Sequence, residues 1–253
     1  MNMLAMDRRA VILDRIQKKT SVRVTELAEE FQVTEETIRR DLEKLESEGY
    51  VTRTYGGAVL AQNNASDLSI HVRETQNLEG KRRIARKVAD MIGDNETLML
   101  DSSTTSMFVA RNIRKKVTII TNSVRIPQEV AALENIEIIV TGGTLRPSIM
   151  SLIGTAAETA LDRYYVNKAI IGCKAFDLGQ GTFEPHEREA FVKKKMRQNA
   201  EKVIVVADHT KFGKRSFVRT LACSEIDMLV TDEPLDKGDE ETLEKAGVQV
   251  VYA

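Results

Sequence analysis

The sequence predicts two unlike parts: a small α+β domain of three helices and a hairpin, then an α/β domain with a mostly parallel sheet covered by helices on both faces. Residues 10–58 hold three stretches of helical apolar period and then a strand pattern, whereas residues 79–252 alternate helical stretches with short, almost wholly apolar strands. Strands of that kind belong to parallel sheets buried on both faces. Between the two blocks AQNNASDLSIHV is polar and has no apolar period, so the expected division is 1–60, a linker at 61–74, and 75–253.

In the first block Val11, Ile12 and Ile16 give the first helical stripe. Thr25 can cap a second helix carrying Leu27, Ala28 and Phe31, and after the turn Gln32-Val33, Thr34 can cap a third. Glu35 and Glu36 fall in the first turn of that third helix, where the helix dipole favours acids, and Gly49 ends it. YVTRTYGGAV then alternates as a strand, turns at Gly56-Gly57 and can pair with a short strand at Val22–Val24.

The second block opens with a helix over 79–92 (Ile84, Ala85, Val88, Ala89, Ile92) stopped by Gly93. Strands follow at 97–100, 117–121 and 136–140, separated by helices near 105–114 and 126–133. Later strands fall at 168–172, 203–207, 227–231 and 248–252.

A chain of 253 residues with 42% hydrophobic and 30% charged residues suits two folded domains with real cores. Cys173 and Cys223 stand far apart, with no CxxC spacing and no histidine cluster, so the expectation is two core thiols, no metal site and no cofactor. The start, MNMLAMDRRA, has no apolar signal core, and no stretch approaches a membrane span, so a reduced cytoplasm is the expected compartment. Net charge is -1, and residues 1–60 hold ten Lys/Arg against eleven Asp/Glu. Bulk charge therefore gives no pull toward nucleic acid, and any such binding must rest on where the charges sit.

Two constellations carry chemistry. In the third helix Ile38, Leu42 and Leu45 share one stripe, so Glu36, Arg40, Glu43 and Ser47 face away, flanked by Thr37, Arg39 and Lys44. Such a helix can enter a major groove, with Arg reading guanine, Thr contacting a phosphate or thymine methyl, and Arg53 and Tyr55 reaching the duplex from the hairpin. Periodicity alone leaves open an ordinary three-helix bundle whose charges are a solvated face.

The second constellation lies at strand ends. The strand at 97–100 runs into Asp101-Ser102-Ser103-Thr104-Thr105-Ser106 and then a helix, offering hydroxyls and free N–H groups to an anion. Asn122 and Ser123, Gly142 and Gly143, Gly172, and Asp208 with Lys211 fall at the same edge, where ligands of α/β sheets sit. Arg146, Lys193 and Lys211 can supply the cation that an anionic ligand needs. Taken singly, each lysine is more often a surface charge and the hydroxyl-rich loop more often a solvated turn.

The third helix and hairpin resemble the DeoR family of bacterial regulators, whose winged helix-turn-helix carries a Thr-Ile-Arg-Arg-Asp-Leu recognition helix followed by a Gly-Gly wing; Thr37–Leu42 and Gly56-Gly57 stand in those places. The second block resembles that family's sensor domain, similar in fold to ribose-5-phosphate isomerase. The family pattern appears in order at 101–106, 121–123, 142–143, Glu189–Lys193 and Ala207–Gly213, and Lys81 fits the family's lysine in the helix opening the sensor. Ser103 replaces the usual loop glycine and Ser106 the last threonine, which implies a tighter cradle or a different ligand.

The resemblance implies a DNA-binding transcriptional regulator, for most relatives a repressor of sugar-metabolism genes, modulated by a phosphorylated sugar or related metabolite. Thr34, Glu36, Thr37, Arg39, Arg40, Lys44, Arg53 and Tyr55 are then expected on operator DNA. Lys81, Asp101, Ser102, Ser103, Thr104, Thr105, Asn122, Ser123, Gly142, Gly143, Arg146, Gly172, Glu189, Lys193, Asp208 and Lys211 are expected around the effector. Palindromic half-sites require at least a dimer. No residue is assigned a catalytic role, and no membrane is implied. Two other readings remain at this point. One is a sugar-phosphate isomerase using Asp101, Asp208 or Glu189 as base, and the other a module whose first domain binds a partner helix.

Overall fold

The computed structural model describes residues 5–19, 21–47, 50–60 and 70–253. The chain divides into two compact units, Met1–Arg73 and Glu74–Ala253. Most of the expected linker, residues 61–69, and the expected helix stop Gly49 lie outside the described residues.

The first unit runs α1 (Ala5–Lys19), β1 (Ser21–Arg23), α2 (Val24–Phe31), α3 (Glu35–Ser47), β2 (Val51–Thr54) and β3 (Gly57–Leu60). Its core gathers Ile12 and Ile16 of α1, Leu27 and Ala28 of α2, Ile38, Leu42 and Leu45 of α3, and Val22, Val24, Val51 and Ala58. Burying such apolar stripes gives helices this short most of their stability. The three strands form an antiparallel sheet in the order β1-β3-β2.

Two expectations in this unit need correction. Thr25 caps nothing: α2 starts at Val24, two residues earlier than a Thr25 cap implies, with Arg23 extended at its N-cap and no side-chain cap bond. Val24 is already buried as the first residue of α2, and its N–H donates to the Gly56 carbonyl at 2.9 Å. The hairpin turn is Tyr55-Gly56, because Gly57 pairs with Thr54 and opens β3. A Cβ on Gly57 would lie 1.9 Å from the Val22 carbonyl oxygen, so only glycine lets β3 approach β1.

The second unit begins with α4 (Ile70–Thr75), whose first four residues still belong to unit one, and α5 (Leu78–Asp90). Then come β4 (Glu96–Leu100), α6 (Thr104–Asn112), β5 (Val117–Thr121), α7 (Arg125–Val130), β6 (Ile136–Val140), β7 (Thr144–Arg146), β8 (Ser151–Ile153), α8 (Thr155–Leu161) and β9 (Val166–Gly172). β10 (Ala175–Asp177), β11 (Gly181–Glu184), α9 (Glu187–Gln198), β12 (Ala200–Val206), β13 (Val218–Arg219), β14 (Met228–Thr231), α10 (Lys237–Lys245) and β15 (Gln249–Tyr252) complete it.

Seven strands form a sheet in the order β15-β14-β12-β9-β4-β5-β6, with every pairing parallel. Alternate residues feed opposite cores. Met99, Ala169, Ile171, Val203, Val205 and Leu229 meet α8, α9 and α10 on one face. Leu98, Leu100, Ile170, Ile204, Val206 and Val230 meet α5, α6 and α7 on the other. Two small antiparallel additions were not expected: the hairpin β7-β8 and the sheet β10-β11-β13.

Candidate functional site

On α3 the exposed side chains include Glu36, Arg39, Arg40, Glu43 and Lys44, with Thr37 half-buried among them. Thr34 caps the helix: its Oγ1 accepts from the Thr37 N–H at 3.2 Å and lies 2.9 Å from Thr37 Oγ1. Each acid facing outward sits beside a base. Arg39 reaches Glu35 at 2.5 Å, Arg40 reaches Glu36 at 3.2 Å, and from the hairpin Arg53 reaches Glu43 at 2.6 Å. Exposed pairs of this kind are worth a few tenths of a kcal/mol, so turning these guanidiniums toward phosphates or base edges costs little. Tyr55 stands fully exposed at the tip of the hairpin.

What aims this face is a contact that periodicity does not reveal. Asp41, on the inner side of α3, is 4% exposed and holds Arg8 of α1 at 2.6 Å, with Arg9 3.7 Å away. Arg8 and Asp41 thus fix the rotation of α3, because a buried carboxylate cannot leave its guanidinium without a large desolvation penalty.

In the second unit the strand order reverses between β4 and β9. From β4 the chain moves outward through β5 and β6, then returns to β4's other side with β9 and continues through β12, β14 and β15. Ligands of open α/β sheets bind beyond the carboxyl ends at such a switch point. The residues there are Asp101 after β4 and Gly172 at the end of β9. A Cβ on Gly172 would stand 2.5 Å from Ser103 Oγ, so the strand end touches the loop only as glycine.

Asp101 organises the loop from beneath. One carboxylate oxygen accepts from the Ser103 N–H (3.2 Å) and Ser106 Oγ (2.6 Å), the other from the Gly172 N–H (3.0 Å), with Lys193 Nζ at 3.1 Å. Ser103 in turn caps α6 by accepting from the Ser106 N–H at 3.2 Å. Ser103 and Ser106, the two departures from the family pattern, are therefore the residues that brace the loop against Asp101. The N–H groups of Thr104 and Thr105, in the first turn of α6, have no acceptor among the described residues, and both side chains are buried. Open amides at a positive helix terminus are suited to an anion.

Around the loop, Lys193 departs from its expected role as a free cation for the ligand. It is 4% exposed, ion-paired to Glu184 and Asp101, and donates to the Gly172 carbonyl at 2.8 Å. Burial pulls its ammonium toward neutrality, but Glu184 and Asp101 override this and hold its pKa above the ordinary lysine value. Lys211 lies more openly, 3.9 Å from Asp208, whose other oxygen accepts from the Thr210 N–H at 3.1 Å.

A second cluster joins β8 and α9 to the loop after β5. Asn122 Nδ2 donates to Ser151 Oγ at 2.9 Å, and Ser151 Oγ donates to Glu189 Oε2 at 3.2 Å. Arg146 Nη1 stands 3.9 Å from Glu189 Oε1. Burial raises the pKa of Glu189 and lowers that of Arg146, so desolvation outweighs their attraction at this spacing. Ser123 Oγ accepts from the N–H groups of Arg125 and Ile126, both at 3.2 Å.

Gly142 and Gly143, after β6, have positive φ and are exposed. Lys81 is buried in α5 and donates to the Gln76 carbonyl oxygen near the start of the unit, not in the switch-point loop. Burial pushes the Cys173 thiol up to about 12, as an inert core residue requires.

Residues 8–64 match the DeoR-like helix-turn-helix domain, and residues 76–233 match the DeoR C-terminal sensor domain. The chain belongs to the DeoR family of transcriptional regulators. It is 38% identical to the helix-turn-helix regulator YulB of Bacillus subtilis, over 98% of this chain and 96% of that one. It is 32% identical to the glycerol-3-phosphate regulon repressor of Escherichia coli, over 88% and 89%. Among solved structures it is similar to ribose 5-phosphate isomerase A of Methanocaldococcus jannaschii, at 16% identity over 54% of this chain and 55% of that chain, with a TM-score of 0.41.

Within this DeoR-family chain the sequence reading missed Glu184 and Ser151. Glu184 ends an unforeseen strand and becomes Lys193's counter-ion, while Ser151 ties Asn122 to Glu189. Arg8 and Asp41 were also missed as partners, although Asp41 sits beside Leu42 on the apolar stripe and was open to inspection there. Among the described residues no helix is long and apolar enough to cross a membrane.

Proposed function

We propose that this regulator is a repressor of sugar-metabolism genes, released from or bound to its operator according to the occupancy of the switch-point pocket by a phosphorylated sugar or related metabolite. The observation that carries this is the loop Asp101–Ser106 at the reversal of strand order, with the open amides of Thr104 and Thr105 at the head of α6. A phosphate placed there meets N–H donors, the Ser102, Thr104 and Thr105 hydroxyls, and the positive helix terminus, with Lys211 as the more accessible cation. The likeness to a glycerol-3-phosphate regulon repressor supports a phosphate ester as ligand. The protein acts in the cytoplasm as a dimer or higher oligomer, because palindromic half-sites need two recognition helices.

The chain is not an enzyme in this reading. Asp101, the carboxylate nearest the switch point, already takes two N–H groups, one hydroxyl and an ammonium, which leaves it a poor base. Titration of DNA from upstream of its own gene, with a thermal-shift screen of sugar phosphates alongside, tests the proposal. Arg40→Ala weakens DNA binding and keeps the thermal response, whereas Lys211→Ala does the reverse. An unchanged DNA affinity in Arg40→Ala removes the recognition-helix assignment. Ribose 5-phosphate turnover above background restores the isomerase reading.

A further inference from the structure

The helices on one face of the sheet leave a stripe of side chains that is basic with an exposed ring at its middle. α9 turns Glu187, Arg188, Phe191, Lys194, Lys195 and Gln198 away from the core, at the spacing of a single helix face. Phe191 is 44% exposed, and Lys194 Nζ stands 6.0 Å from its ring. Phe217, 85% exposed, leads into β13, which packs against α9 and pairs with β11 through Val218 and Glu184, just before α9 begins. Arg188 and Lys194 of α9 and Arg219 of β13 meet no carboxylate among the described residues. Uncovered aromatic rings beside unpaired cations are the composition of a protein interface rather than of a free surface.

The complementary surface lies on the same face of the same chain. α9 and α10 both pack into the core that holds Met99, Val205 and Leu229, and each runs directly into a strand of the parallel sheet, β12 or β15. They therefore point the same way. From Glu187 to Gln198, α9 carries five bases against two acids, whereas Asp236 to Lys245 carries five acids against two bases, with Glu241 and Glu244 exposed. A two-fold axis running along the helices and between them stacks α9 of one copy on α10 of the other, and does so twice. The aligned register of Ile204, Met228 and Gln249 sets the level of the two helices, and it places Arg188 within about a turn of Glu241 and Lys194 within about a turn of Glu244.

We propose that the α9–α10 face joins two copies of this chain, with Arg188 and Lys194 of each copy against Glu241 and Glu244 of the other and Phe191 covered at the seam. This rests on the reading above that the regulator acts as at least a dimer, and it names the surface. A second copy fits better than an unrelated acidic protein, because both halves of the charge match stand on one chain and one axis satisfies both.

Sedimentation velocity of the full chain over a range of protein concentrations tests this. The unmodified protein sediments as a dimer or a larger species. Arg188→Glu with Lys194→Glu sets acid against acid, and Glu241→Lys with Glu244→Lys sets base against base, so each doubly substituted protein dissociates, its dimer Kd raised about a hundredfold or more. An equimolar mixture of the two brings opposite charges together at both contacts and re-forms a dimer holding one copy of each. Dissociation of both proteins with no recovery on mixing overturns the pairing, since each set of substitutions has then damaged its own chain. A dimer that neither set disturbs overturns this surface and leaves the dimer reading standing. An unmodified protein that stays monomeric at every concentration overturns the surface and the dimer reading together.

Discussion

At the scale of single residues, the proposed effector site is built from groups whose cost is visible in the folded protein. Gly172 has no room for a methyl group: Gly172→Ala drives Cβ into Ser103, 2.5 Å away, and displaces the loop that Asp101 organises. Effector-induced thermal shifts are expected to disappear in that variant, and a normal shift would show the loop to be dispensable. Lys193 faces two buried carboxylates, so Lys193→Ala leaves Asp101 and Glu184 uncompensated and costs about 3–5 kcal/mol, or roughly 6–20 °C in melting temperature. Glu189 behaves oppositely. Its folded pKa is raised by burial, so the folded state holds its proton more tightly than the unfolded chain, and stability falls as pH rises through the window above the ordinary glutamate value. Glu189→Gln is therefore expected to raise the melting temperature of the ligand-free protein at pH 7–8, with the gain fading as pH drops toward about 4.5. A gain that grows on acidification would contradict the burial account.

The elements differ in how plainly the sequence announced them. Every strand of the parallel sheet was legible, because a run such as VIVVA must be dry on both faces, and α3 was legible from Ile38, Leu42 and Leu45. The hairpin β7-β8 and the sheet β10-β11-β13 were not, since strands of two to four residues carry too little alternation to separate from loop. Of the pocket, the loop after β4 could be read because hydroxyls and a helix start are contiguous in sequence. Glu184 and Ser151 could not, because their partners lie 9 and 38 residues away and meet only in the fold. The recognition face yields a prediction of its own. Glu36 holds Arg40 at 3.2 Å on an exposed helix turn, so Glu36→Gln frees the guanidinium and removes a like charge from the phosphate side. DNA affinity should rise about two- to fivefold with a steeper salt dependence, as an additional phosphate contact adds about 0.9 to the slope. If affinity falls instead, Glu36 is reading a base, as a carboxylate can with cytosine.

For the whole molecule, the ion pairs at the start of the second unit yield a prediction about how effector binding bears on DNA binding. Glu74, next to last in α4, accepts from Arg125 Nη1 at 2.8 Å and Arg111 Nη2 at 3.4 Å. Arg125 follows directly on the Thr121-Asn122-Ser123 loop, its backbone N–H bonded to Ser123 Oγ, and Glu129 joins the same network through Arg111 at 2.7 Å. A ligand at Asn122, as proposed, would lie three residues along the chain from the guanidinium of Arg125, which holds Glu74 at 2.8 Å. The coupling between the sites is a free energy, and it is reciprocal: if effector lowers DNA affinity by some factor, DNA lowers effector affinity by the same factor. Glu74→Ala removes the grip without touching either binding surface, so effector and DNA affinities measured separately should each stay within about threefold while the coupling factor shrinks toward one. The pair is part-buried with several partners, so the loss is larger than for an isolated surface ion pair, which the median would put below about 1 kcal/mol. Measuring DNA affinity with and without saturating effector in both proteins decides the matter, and an undiminished ratio in Glu74→Ala places the connection elsewhere.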